Sequence, residues 1–371
     1  MILRQTDRQT DRQTRLDWLD IAKGIAIVAV LIGHTSAINK NVQIYLYSWH
    51  MPIFFIVSGI LLQYRDSWRY RSYKGIVVRK AKSLLYPYLT FSILTTIYSI
   101  KFTVGTSAIV MSFYKNIGAN ILVQDILGTI LGIGIWLLWF LPALFFGELL
   151  AIVILKQSQH VHYIAASVLL LIIIVSPIGR NAYLASETQS VILSFIAVIL
   201  LVIFRILVAT TFLLIGYFIA EFKILDKINL AGALLLLTIE VLTSQLNQVD
   251  IRDALIGNPV LFFFNAIVSS IAILFLAKKV KALKIFDYLG RNSLLIFTLQ
   301  GVGGLFFASY ISNKLFSNSI ILEMFEIILL ILGETAATWI IVRWVKPLYD
   351  YRSLRKLIKN NNLLWLCKGG C

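Results

Sequence analysis

From Ile21 to Val345 the sequence is a succession of apolar stretches, each near the length of a bilayer crossing and separated by short polar segments. A helix rises 1.5 Å per residue, so about 20 apolar residues cross roughly 30 Å of hydrocarbon. Ten spans are expected on this basis, near residues 21–38, 43–63, 84–101, 136–155, 163–178, 206–222, 229–245, 259–277, 289–310 and 320–345. Residues 105–133, interrupted by glycine, and 190–204 fit neither span nor loop; each is expected to lie along the interface or to re-enter the membrane. With 59% hydrophobic residues and a mean hydropathy of +0.83, the chain carries more apolar surface than a water-soluble domain can hide. The expected fold class is all-α, a polytopic integral membrane protein of about 10 transmembrane helices.

A net charge of +16 raises the question of nucleic acid. The positions of the charges answer it. With the N-terminus inside, most of the 34 Lys and Arg residues fall in cytoplasmic segments, notably Arg65, Arg69, Arg71, Lys74, Arg79, Lys80, Lys82 and the group around Lys278. The other side holds Lys40, Lys101, Lys115, Arg180, Arg205, Arg252 and Lys314. This asymmetry is the positive-inside pattern and sets both termini in the cytoplasm. The expected partners are a lipid bilayer and small molecules, with no nucleic acid. Cys367 and Cys371 have neither zinc-ribbon nor redox spacing, so no disulfide framework and no metal site is expected. No cleavable leader is expected either, because the first apolar segment carries Lys23 and His34 and lacks a small-residue cleavage site.

Three segments follow: a tail over 1–15, a membrane body over 16–349 and a basic cytoplasmic tail over 350–371. The first contains RQTDRQTDRQT, Arg4 to Thr14, with no apolar residue to bury, and reads as disordered. An AGAC repeat in the gene reads as Arg, Gln, Thr, Asp before returning to frame, so the signal can lie in the DNA.

Ionisable groups within a bilayer cost several kcal/mol, and each is a functional candidate. LDIAKGIAIVAVLIGH places Lys23 and His34 eleven residues apart, close to three helical turns, so both share one stripe about 16 Å long. Asp20 lies one turn before Lys23 and pairs with it if Lys23 snorkels. In the second span, YSWHMPIFFIVSG, His50 sits roughly 12 Å from one edge while His34 sits roughly 20 Å from the other, so antiparallel neighbours bring the imidazoles to one depth. Pro52 is expected to break the helix beside His50. Ser58 and Gly59 permit close approach of a helix or a ligand.

RLDWLDIAKGIAIVAVLIGH, WHMPIFFIVSG, VVRKAKSLLYPY, WFLPALFFGELL and LGRNSLLIFTLQ occur in that order from about Arg15 to Tyr349. Together they resemble the membrane acyltransferase 3 family, and most closely its sugar O-acetyltransferases of the fucose 4-O-acetylase-like type. The resemblance implies an O-acetyltransferase of a bacterial inner membrane, moving acetyl from cytoplasmic acetyl-CoA to a hydroxyl of an envelope glycan, lipopolysaccharide or lipid-linked sugar. The basic-His pair of the family falls on Lys23 and His34. Its Arg-x-x-Arg element falls on the loop of Arg79, Lys80 and Lys82, here as Arg-x-x-Lys. Family members often carry His where this chain has Gln300, which hydrogen-bonds but holds no proton.

On this reading the cationic loop takes the phosphates of acetyl-CoA, the acyl donor, with no permanently bound cofactor. His34 removes the proton of the acceptor hydroxyl, or itself carries the acetyl group. His50 orients His34 or the acceptor, and Trp139 with Phe140 forms an apolar wall. Glu148 and Glu334 are buried carboxylates expected to pair with Arg291 or Arg343 or to touch substrate. A transporter or flippase of glycan or lipid-linked sugar is the rival reading, since it also needs deep polar groups and broken helices. No inverted repeat supports it, and a scaffold without chemistry leaves Lys23, His34 and His50 unexplained.

Overall fold

The computed structural model describes residues 16–35, 38–99, 107–158, 160–280, 283–300, 304–315, 319–345, 347 and 349–358. The RQTD tract and both cysteines lie outside them. Every regular element among the described residues is helical. The first half comprises α1 (Asp17–Gly33), α2 (Lys40–Trp49), α3 (Pro52–Tyr64), α4 (Tyr73–Lys80), α5 (Tyr86–Ser99), α6 (Ala108–Asn116), α7 (Ile121–Ile130) and α8 (Phe140–Gln157). The second comprises α9 (Val161–Ser186), α10 (Val191–Glu221), α11 (Leu230–Ser244), α12 (Pro259–Lys279), α13 (Lys284–Arg291), α14 (Ser293–Leu299), α15 (Leu305–Leu315) and α16 (Ser319–Trp344).

Six stretches among the described residues are long and apolar enough to cross a membrane: Lys40–Tyr64, Trp136–Gln157, Val161–Ser186, Val191–Glu221, Pro259–Lys279 and Met324–Trp344. The other four expected spans are shorter or interrupted. α1 has 17 residues and α11 has 15. α5 follows a widened π turn over Ala81–Leu85, where Pro87 has no N–H to offer the Ser83 carbonyl. The expected span over 289–310 is divided among α13, α14 and α15.

Residues 190–204 neither re-enter nor lie flat. They form the first half of α10, a continuous helix of 31 residues whose N-cap, the Ser190 hydroxyl, accepts from the Leu193 N–H. No glycine or proline falls between Val191 and Ile215, so nothing interrupts the helix. Arg205, assigned to an outer segment on its charge, is therefore in mid-helix and only 2% exposed. Residues 107–133 hold the two short helices α6 and α7, turned at Gly118, whose φ of 62° suits glycine. Ser112 and Asn116 of α6 donate to the carbonyls of Ser186 and Thr188, tying α6 to the end of α9.

Small residues set the closest crossings. A Cβ at Gly59 would overlap the Leu213 carbonyl, and one at Gly216 would overlap that of Ile56, so α3 and α10 meet backbone to backbone. Gly24 meets Phe286 and Gly290 meets Asp20 in the same way where α1 crosses α13. These contacts fix α3 against α10 and α1 against α13. One end of the bundle collects cations: Lys156 donates to the Arg71 carbonyl, Lys82 lies 5.0 Å from the Tyr351 ring, and Lys278 lies 6.0 Å from that of Trp18. At the opposite end Gln245 donates to the Asn41 carbonyl.

Candidate functional site

α1 ends at Gly33 and leaves His34 as its C-cap, while α2 ends at Trp49 and leaves His50 in the turn before Pro52, the first residue of α3. Pro52 divides the second span as expected, because a proline tolerated at a helix start is disruptive inside one. The two imidazoles meet edge to face, their centroids 6.2 Å apart at 88°. His34 Nδ1 lies 2.7 Å from the Val30 carbonyl and His50 Nδ1 lies 2.6 Å from that of Leu46. A carbonyl only accepts, so each Nδ1 carries a hydrogen and each neutral ring keeps its lone pair on Nε2. The pair thus offers two bases held by their own helices.

The cleft around them is narrow, about 30 Å³, and is also lined by Tyr47, Trp139, Phe297, Asp250 and Arg252. Tyr47 lies 5.0 Å from His50 and 5.8 Å from His34, ring to ring. Trp139 lines the cleft, and Phe140 packs against Phe54, Phe55 and Phe297 behind it. Arg205 of α10 stacks on Trp139 at 5.1 Å and donates to the carbonyls of Ile133 and Arg252, so a buried cation fixes both the wall and the loop that closes the cleft. Burial pushes the Asp250 carboxyl above the usual carboxylate range, and the charge of Arg252 opposes that rise.

At the cation-rich end, a cavity of about 840 Å³ is lined by Arg65, Arg71, Arg79, Lys80, Lys82 and Arg352, with Glu148, Asp350 and Ser58. Six basic side chains face two carboxylates there, and the balance suits a polyanion. Lys80 Nζ lies 2.7 Å from Glu148 Oε2, so Lys80, and neither Arg291 nor Arg343, is the partner of this carboxylate. α3 and α8 join the two sites: Met51 lines the cleft and Ser58 the cavity, about 10 Å apart along the helix, while Trp139 and Glu148 are separated by roughly 13 Å.

Lys23 does not come to the cleft. Its Nζ lies 2.7 Å from Asp20, in a network that Arg291 extends to Asp17 at 3.4 Å, Asp20 at 4.0 Å and Asp287 at 2.5 Å. The three carboxylates cluster closely, and the two cations already neutralise much of their charge. Gln300 caps α14 one turn beyond Phe297, fully buried, with both amide atoms lacking a hydrogen-bond partner among the described residues. Glu334 is buried against Gly304. Arg343 lies over the rings of Trp339 and Trp344.

Arg205, Arg252 and Glu240 escaped the reading of the sequence. Arg205 carried a signal, since a lone cation in a long apolar run is a buried group by default. Glu240 of α11 accepts from the Ser48 hydroxyl at 2.6 Å and ties the last turn of α2, just before His50, to its neighbour. Arg252 lies in a polar loop and carried no distinguishing pattern.

Residues 16–343 match the family of acyltransferase domains known as acyltransferase 3, and the chain belongs to that family. No curated protein and no solved structure matches it significantly.

Proposed function

As a member of the acyltransferase 3 family, we propose, this chain is a membrane O-acetyltransferase that moves acetyl from acetyl-CoA to a hydroxyl of an envelope glycan, a lipopolysaccharide or a lipid-linked sugar. One observation carries the reading: a cleft with two imidazole lone pairs lies one short helical run from a cationic cavity. The nucleotide and its phosphates bind in the cavity among Arg79, Lys82 and their neighbours. The neutral arm follows α3 and α8 and brings its thioester to the cleft. There His34 Nε2 takes the proton of the acceptor hydroxyl as the oxygen attacks the acyl carbon. His50 faces His34 across the cleft and holds the acceptor or the first imidazole. Bringing both substrates to one place supplies much of the rate, since orientation replaces a bimolecular encounter.

On this reading the protein lies in a bacterial inner membrane; the positive-inside pattern supports an orientation with the cavity and both termini on the cytoplasmic side, where acetyl-CoA is found, and the cleft toward the outer half. The RQTD tract adds a mode of control. A four-base repeat after the start codon, lengthened or shortened by one unit, shifts the frame and switches the gene off. Such phase variation suits decoration of a surface glycan. Codons scattered among synonyms, with no unbroken AGAC tract, would refute it.

Comparison of envelope glycans by mass spectrometry or NMR, with and without the gene, tests the function. Loss of O-acetyl groups with the gene is the expected result. Unchanged acetylation together with altered amounts of surface glycan would favour the flippase.

A further inference from the structure

The loop between α11 and α12 is built with more care than a connection needs. Asp250 and Leu255 form a two-way backbone bridge, with N–H to carbonyl distances of 2.6 and 2.9 Å. The Asn247 side chain accepts from the Asn258 N–H at 2.7 Å and donates to the carbonyls of Ile256 and Asn258 at 3.1 Å. Ala254 is held at a φ of 56°, a left-handed conformation that costs a residue with a Cβ on the order of 1 kcal/mol or more and persists only where the surroundings impose it. Arg205 donates to the Arg252 carbonyl from beneath.

This loop presents Asp250, Ile251 and Arg252 to the cleft. Of the residues lining the cleft, Arg252 alone carries a fixed positive charge. Asp250 and Asp253 lie 3.9 and 3.6 Å from its Nη2, longer than the about 2.7–3.2 Å of an N–H···O hydrogen bond. Its Nε is buried and has no hydrogen-bond partner among the described residues. A buried donor without an acceptor costs about 1–3 kcal/mol, so its retention beside two imidazole lone pairs calls for an acceptor that arrives with substrate.

We propose that Arg252 is a catalytic residue that stabilises the oxyanion formed on the acyl carbonyl during transfer, an assignment that rests on the acyl-transfer reading above. The acceptor oxygen bonds to the acyl carbon and its proton passes to His34 Nε2. The carbonyl π electrons move onto oxygen, where the guanidinium meets them. The C=O bond then re-forms, the C–S bond breaks, and the departing thiolate takes the proton from His34. The ester and free CoA thiol are the products. The charge on Arg252 serves the tetrahedral state more than the neutral carbonyl, so it raises kcat rather than affinity.

The test uses the full-length protein in detergent, with acetyl-CoA and lipopolysaccharide from cells lacking the gene, and follows thiol release. R252Q is expected to lower kcat by on the order of 10²–10³ with the KM for acetyl-CoA and the melting temperature retained, and R252K to recover part of the loss. An unchanged kcat overturns the proposal. So does a raised KM for lipopolysaccharide at unchanged kcat, which would make Arg252 a grip on the acceptor. If R252Q loses its melting transition, R252K decides: a drop in kcat of about tenfold or more supports the assignment, and wild-type kcat overturns it. Wild-type protein that releases no thiol would defeat the acyl-transfer reading itself, and this assignment with it.

Discussion

His34 and His50 face each other edge to face with 6.2 Å between ring centroids, each anchored through Nδ1 to a carbonyl of the helix it ends. The anchoring fixes which nitrogen is free. ¹⁵N NMR of histidine-labelled protein at neutral pH is expected to show both rings protonated at Nδ1 and unprotonated at Nε2. The opposite tautomer on His34 would leave it without a base directed at the cleft.

The crossing of α3 over α10 depends on Gly59 and Gly216, where added carbon meets backbone that has no room to yield. Gly59→Leu or Gly216→Leu is expected to cost about 1–3 kcal/mol or more through overpacking and to lower the melting temperature in detergent. Gly333→Leu, in open space, serves as the control and is expected to change little. Equal melting temperatures for all three would show that the crossing tolerates separation.

Lys80 and Glu148, which both line the cationic cavity, form an ion pair at 2.7 Å with the carboxylate buried. Lys80→Ala strands a buried carboxylate and is expected to cost about 3–5 kcal/mol, and adding Glu148→Gln is expected to recover much of the loss. A double variant no better than the single one would show that the pair is not coupled.

Lys82 and Arg352 line the same cavity, and on the proposed reading their charges serve the nucleotide more than the fold. Lys82→Ala and Arg352→Ala are each expected to raise the KM for acetyl-CoA with little change in kcat, and the increase is expected to shrink at high salt as screening weakens the wild-type attraction. An unchanged KM would place the nucleotide elsewhere.

Much of this was legible in the sequence because it depended on local rules. The break at Pro52 follows from a missing N–H, and the antiparallel run of the first two spans brings His34 to the depth of His50. The basic segment from Arg65 to Lys82 gathers on one end because charge is excluded from hydrocarbon. The rest depended on chain segments far apart. Arg205 reads as an outer-segment cation until α10 is seen to run unbroken through it, and its partners at Ile133 and Arg252 lie in other segments. Lys80 as the partner of Glu148 arises only when α8 packs beside the turn after α4. Residues 247–258 have the composition of any solvated loop, and only their hydrogen bonds show that they present Arg252 to the cleft.

On the proposed reading the cleft transfers an acyl group with His34 as its base. Purified protein supplied with acetyl-CoA and lipopolysaccharide from cells lacking the gene is expected to release free CoA in step with O-acetylation of the glycan. H34A is expected to lose that activity by on the order of 10²–10⁴ while keeping its melting temperature. Thiol release and acetylation undiminished in a folded H34A protein would contradict the account.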